Sequence, residues 1–440
     1  MSQTAPQPTS VPGVLSKPPT NVRHGLLAML FVTVVINYLD RSNLSVAAIG
    51  LGNDLHLDKD HMGLVFSAFG WAYACLQIPG GWLVDRVRPR VLYASICGLW
   101  SLATMLQGFA GTFLMLFSLR LLLGVFEAPA FPTCNRLVTA WFPDRERARA
   151  IGCYTSGQFV GLAFLTPALV FAQKHFGWQA VFILTGAVGL LWAALWYAIY
   201  REPTESRRIS AGELDYIRQG GGLPDLATRQ KTGSSNKFNL ADLAKVLSSR
   251  KLWGIYLGQF AVNSTLWFFL TWFPTYLVKY RHVDFIKAGF LASLPFLAAF
   301  VGVIASGLLS DELIKRGVSA TTARKVPIIA GLLLSTSIIG ANYVGSERLI
   351  VFFLALAFFG NGFASIAWVL VSSLAPERLL GLTGGVFNFI GNLASIVVPI
   401  AIGHLIHEDN FAPGLVFVSA IALAGALSYI FLVGKVERVR

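Results

Sequence analysis

Gly81-Trp-Leu-Val-Asp85-Arg86-Val-Arg-Pro-Arg90 and Gly307-Leu-Leu-Ser-Asp311-Glu312-Leu-Ile-Lys-Arg316 follow one pattern: glycine, aspartate four residues on, arginine five beyond that. The copies stand 226 residues apart in a chain of 440, and each closes a long apolar run. A second echo links Pro143-Asp-Arg-Glu-Arg147 to Pro376-Glu-Arg378. Each is followed nine residues on by a glycine (Gly152, Gly385) and later by a proline (Pro167, Pro399). Working outward from these strings gives twelve apolar segments, roughly 24–50, 60–84, 91–110, 113–136, 148–173, 178–200, 252–278, 285–309, 325–344, 348–372, 379–405 and 411–434. Most approach or exceed the roughly 20 residues a helix needs to cross a bilayer.

Composition agrees. Hydrophobic residues make up 55% of the chain and charged ones only 13%, about half the charged share of an ordinary soluble domain. A soluble protein this poor in charge would expose large apolar patches and aggregate. Ten-residue alternating strands would give a much weaker hydropathy signal, which excludes a closed barrel. The chain therefore reads as an all-α polytopic membrane protein. Repetition after six helices predicts two similar six-helix bundles with a site between them near the midplane.

The cations fix the orientation. Both tails and the connections on their side hold 27 of the 35 Lys and Arg, against six on the other side and two within the membrane. Acidic residues divide thirteen, seven and two. The cation-rich side nets +14, the far side −1 and the membrane zero. The positive-inside rule then puts both termini in the cytoplasm. The overall +13 is a topology signal, and no nucleic-acid partner is expected.

Five units follow: a disordered cytoplasmic tail (1–21, with five prolines and no apolar run), an N-terminal six-helix bundle (22–200), a cytoplasmic linker (201–250), a C-terminal six-helix bundle (251–434) and a short tail (435–440). Within the linker, Ser210-Ala-Gly-Glu213 has capping-box spacing, and Gly220 is placed to end the helix that follows. Cys75, Cys97, Cys134 and Cys153 lack CxxC spacing and are expected as buried packing groups rather than disulfides or metal ligands. His404 and His407, beside Glu408 and Asp409, read as interfacial. No P-loop, HExxH or GxSxG string is present, so the sequence offers no enzyme motif.

Four ionisable residues remain inside apolar segments: Asp40, Arg41, Arg120 and Glu127. Each would cost roughly 2.5–3.5 kcal/mol at a helix centre, so such groups mark ion or substrate paths by default. Arg120 and Glu127 are seven residues apart, two turns of one helix face. Asp40 and Arg41 are adjacent and point about 100° apart. Two acids beside two arginines suit proton-coupled carriage of an anion: protonation of Asp40 and Glu127 releases Arg41 and Arg120, and a substrate carboxylate docks on an arginine. Either arginine can hold it. In the apolar wall the polar groups free to bind the rest of a substrate are Tyr38, Tyr73, Gln158, Gln259, Ser365, Asn388 and Asn392, whose hydroxyls and amides can both donate and accept. Trp368 offers an apolar face.

The paired Gly-x-x-x-Asp-Arg-x-x-x-Arg loop resembles the signature of the major facilitator superfamily. There it acts as a cytoplasmic latch, which assigns that role to Asp85, Arg86, Arg90 and Asp311; Glu312 departs from the pattern, where a cation is usual. Asn37-Tyr38-Leu39-Asp40-Arg41, Phe66 to Tyr73, Gln77 to Trp82, Arg120 to Pro132, Gly258-Gln259-Phe260, Thr271 to Pro274 and Phe358 to Gly362 resemble the superfamily's anion:cation symporter family. The resemblance covers about residues 22–437. It implies the major facilitator fold and proton-coupled uptake of a sugar acid across the bacterial inner membrane, by a protein working as a monomer without a cofactor. The string from Tyr154 to Pro167 points to D-galactonate; glucarate, galactarate or a hexuronate is the alternative. The resemblance also implies coupling roles for Asp40, Glu127 and Arg41, and substrate contact by Tyr38, Tyr73, Gln158, Ser365, Trp368 and Asn388.

Overall fold

The computed structural model describes residues 20–225, 240–376, 379–407 and 410–438. The first bundle holds α1 (Val22–Asp54), α2 (Lys59–Arg86), α3 (Pro89–Gln107) and α4 (Phe113–Glu127, resuming as Ala130–Trp141). A helical run of 56 residues, Asp144–Ile199, follows. At 1.5 Å per residue it would measure about 84 Å, far more than one bilayer crossing. It breaks at Gly177, whose φ of 81° suits a residue without a Cβ, giving α5 (144–176) and α6 (178–199). The second bundle holds α7 (Arg250–Thr271, continued by Phe273–Thr275 and a π-turn, Tyr276–Tyr280), α8 (Phe285–Lys315), α9 (Ala320–Ser335, continued by the 3₁₀ turn Thr336–Asn342), α10 (Glu347–Ala364, then Ser365–Ala367 and Trp368–Leu374), α11 (Leu380–Asn392 and Ala394–Leu405) and α12 (Ala412–Phe431).

Among the described residues eight helical stretches are long and apolar enough to cross a membrane. One of them is the doubled α5–α6 run, and the more polar α2, α3 and α7 complete the twelve. Short polar caps start several helices: the Asp58 carboxylate accepts from His61 N at 2.7 Å, Thr112 Oγ1 from Met115 N at 3.2 Å, and Asp284 from Ile286 N and Lys287 N at 3.0 and 3.1 Å. Each satisfies donors that a helix start leaves unpaired.

The structure departs from the sequence reading in several places. The fourth segment, expected to run 113–136, stops at Glu127 and restarts beyond Pro129, which removes a backbone donor. Among its described residues the linker carries two helices where one is expected: Ala211–Gln219, capped by Ser210 as its spacing suggests, and Leu240–Ser248. Cys75 and Cys153 are exposed, while Cys97 and Cys134 are buried. The 1–21 tail lies outside the described residues except for Thr20 and Asn21, and so do Val439 and Arg440.

The bundles meet closely at the end remote from the termini. There Gly63 and Gly70 on α2 lie against the Pro399 carbonyl and Ser395 of α11; a Cβ added at Gly63 would sit 2.8 Å from the carbonyl oxygen, and one at Gly70 would collide with the serine hydroxyl. Phe66–Trp272, Phe69–Trp267 and Phe159–Phe358 ring contacts cross the same seam at 5.3, 5.7 and 6.1 Å. At the end carrying the termini, Gly81, Gly152 and Gly385 face open space. The seam is shut at the far end and open at the near one.

Candidate functional site

All four membrane charges sit on the first bundle's side of the seam, and all are buried. Arg41 Nε donates to Glu127 Oε2 at 2.9 Å, joining α1 to α4. The Arg41 guanidinium lies 4.7–4.8 Å from the ring centres of Tyr38, Phe69 and Tyr73, an aromatic cage of the kind that stabilises a desolvated cation. Among the described residues one Arg41 nitrogen (Nη2) and one Glu127 oxygen (Oε1) have no hydrogen-bond partner. Arg120 Nη1 donates to the backbone carbonyl of Asp40 at 3.2 Å, not to its carboxylate. The Asp40 carboxylate is fully buried, with neither oxygen hydrogen-bonded by geometry among the described residues; it points about 100° away from Arg41 around the helix.

The second bundle supplies amides. Asn388 Nδ2 donates to Gln77 Oε1 at 3.0 Å across the seam, and Asn392 Nδ2 donates to Asn388 Oδ1 at 3.1 Å. Gln259 Nε2 reaches Asn263 Oδ1 at 3.4 Å. Gly391 makes that approach possible, because a Cβ there would lie 2.6 Å from Gln259 Cγ. Gln158 on α5 is half-buried, with no hydrogen bond among the described residues. Ser365 and Trp368 stand at the break in α10: the Ser365 hydroxyl donates to the Gly362 carbonyl at 2.7 Å, and Trp368, 49% exposed, meets Phe387 edge-on at 4.8 Å. The structure thus joins Tyr38, Tyr73, Arg41 and Glu127 in one cluster and links Asn388 to it through α2. Among the described residues Ser365 and Trp368 make these contacts within their own bundle.

Three residues that sequence reasoning did not select belong here. Asn37, with both side-chain polar atoms unpaired, faces Glu127; Gln77 bridges the bundles; Asn263 holds Gln259. Each lies one helical turn from a selected residue (Arg41, Tyr73, Gln259), so extending each choice by four positions finds them.

The latch residues behave unequally. Arg90 Nε donates to the Tyr197 carbonyl at 2.9 Å, with its guanidinium 4.4 Å from that ring, tying α3 to the end of α6. Arg86 is exposed in the last turn of α2, and the Asp85 side chain lies outside the described residues. In the second copy Arg316 pairs with Glu312 on its own helix at 2.8 Å, and Asp311 is exposed with no partner among the described residues.

Two helical bundles around a seam open at one end, with ionisable groups buried beside it, define a membrane transporter. The chain belongs to the Major Facilitator Superfamily, whose pattern it matches over residues 30–399. It is 55% identical over 421 residues to the D-galactonate transporter of Escherichia coli O6:H1, covering 96% of this chain and 98% of that one. It is 44% identical to a probable galactarate/D-glucarate transporter of Bacillus subtilis, covering 96% and 94%. The fold is shared with a solved bacterial homologue of the human lysosomal transporter Spinster, with a TM-score of 0.69 at 18% identity over 93% of this chain and 95% of that one.

Proposed function

We propose that the protein is a secondary active transporter that takes up a sugar acid, D-galactonate, together with protons across the bacterial inner membrane, working as a monomer by alternating access. The observation that carries this reading is the Arg41–Glu127 pair, buried beside the seam in its aromatic cage. A buried pair broken by loss of one partner is destabilised by about 3–5 kcal/mol. Protonating Glu127 removes its charge and leaves Arg41 short of an anion, a need that a substrate carboxylate meets. Proton and anion each favour the state the other requires, which is thermodynamic coupling. Asp40 takes the second protonation role, and Arg120 is the alternative seat for the carboxylate. Gln77, Gln158, Gln259 and Asn388 offer donors and acceptors for sugar hydroxyls.

The 55% relative supports D-galactonate; galactarate or D-glucarate is the second reading, favoured by the 44% relative. The cation excess of 27 against six supports cytoplasmic termini, and the open end of the seam then faces the cytoplasm. The test is uptake by proteoliposomes under an inward proton gradient, with D-galactonate, galactarate, D-glucarate and hexuronates in competition. Accumulation of D-galactonate that a protonophore abolishes is the expected result. Gradient-independent behaviour across the whole panel would overturn symport, and preference for another acid would reassign the cargo.

A further inference from the structure

Asp40 looks away from the seam, into the first bundle. The Trp100 indole of α3 and the Thr185 hydroxyl of α6 face its carboxyl group. One turn farther from the termini, Asn43 donates to Thr185 Oγ1 at 3.1 Å while its own carbonyl oxygen stays unpaired. On α3, Trp100, Thr104 and Gln107 follow at i, i+4 and i+7 along one face, about 10.5 Å of helix. All three are fully buried; among the described residues Thr104 Oγ1 and Gln107 Oε1 lack a partner, and Trp100 Nε1 has only the Asp40 carboxyl before it. Gln107 ends α3 at the far end of the bundle, beside Gly108, which packs against the Gln179 carbonyl of α6.

An unsatisfied buried polar group costs about 1–3 kcal/mol, and native structures relieve that cost with ordered water. Packing alone does not account for the file, because apolar residues would fill the same space without the penalty. By helix position its polar groups run from the far end of α3 to one acid. We propose that Gln107, Thr104, Asn43 and Trp100 hold a water file that delivers protons from the far end to Asp40, separately from the anion's route along the seam. This rests on the symport reading above. Leak into the open seam is opposed by two fixed cations beside Asp40: Arg120, which donates to its backbone carbonyl, and the adjacent Arg41, paired with Glu127; such groups repel an excess proton in proton-excluding pores.

The test compares Thr104→Val/Gln107→Leu with the wild type in proteoliposomes by two readouts. Anion counterflow at equal pH on both sides needs no net proton movement; gradient-driven D-galactonate uptake with a lumenal pH dye does. Expected is counterflow within twofold of wild type, with gradient-driven uptake and proton influx slowed tenfold or more, while Thr104→Ser keeps wild-type rates. If the double variant does not insert, the isosteric Thr104→Val alone is expected to slow gradient-driven uptake about threefold. Wild-type proton influx in either apolar variant would overturn the file, as would equal loss of both readouts with no rescue by Thr104→Ser. Wild-type uptake indifferent to the gradient would instead overturn symport itself, which is a separate result.

Discussion

In the first bundle α1 and α4 carry Asp40, Arg41, Arg120 and Glu127 through the membrane; α7 and α10, their counterparts six helices later, carry no Lys, Arg, Asp or Glu between Leu252 and Val278 or between Leu349 and Pro376. Where one bundle places a caged ion pair, the other places Gln259, Asn263, Asn388 and Asn392. The repeat reproduces geometry without reproducing chemistry. Charge is expensive in a bilayer and is best kept within one rigid body, where Arg41 and Glu127 meet at a fixed distance. Amides are cheaper to bury and can sit on the side that moves relative to the charges, exchanging partners as it does.

That division can be broken experimentally. The largest effect is expected from Glu127→Gln, which should reduce gradient-driven accumulation at least a hundredfold while leaving D-galactonate binding, read by calorimetry, near wild type. Next, Arg41→Ala strands Glu127 and should destabilise the protein by about 3–5 kcal/mol and abolish anion binding; normal affinity in a folded variant would move the carboxylate to Arg120. On the amide side, Asn388→Ala should weaken affinity by roughly five- to tenfold, from loss of about 1 kcal/mol of hydrogen bonding, with the proton-to-anion ratio unchanged. A changed ratio would mean that the second bundle takes part in coupling. Gly70→Ala introduces a Cβ into Ser395 at the far seam and should shift accessibility labelling toward the state open at that end. The smallest effect separates the two latches: Arg90→Ala should lower the melting temperature measurably through loss of the Tyr197 contacts, whereas Arg316→Ala, whose pair is local and exposed, should leave it unchanged.

Much of the architecture could be read in the sequence, because bilayer length, loop charge and a twice-written motif are properties of the chain itself. The four membrane charges stood out for the same reason. What escaped depends on register between helices. The Gln77–Asn388 bridge joins residues 311 positions apart, and no local pattern on α2 or α11 announces it. The direction of Asp40 was equally hidden: adjacency separates it from Arg41 by angle, but only the packing of α3 and α6 shows which of the two meets the seam. The break in α4 was partly visible in Pro129. The second linker helix is strongly amphipathic along Leu240–Ser248, but it spans only nine residues next to a Gly- and Ser-rich stretch, too short a run to stand out as an element.

The carboxylate of Glu213, in the first linker helix, accepts from Val22 N at 3.1 Å and Arg23 N at 3.2 Å and pairs with the Arg23 guanidinium at 3.0 Å. It thereby closes the start of α1, a job usually done by a residue immediately upstream. Ribosomes make chains from the amino terminus, so α1 is laid into the membrane with its first amides unanswered. The group that finishes it emerges only after α6 has been made. The first helix is completed only after the sixth, and its completion marks the moment at which the first half of the protein is whole.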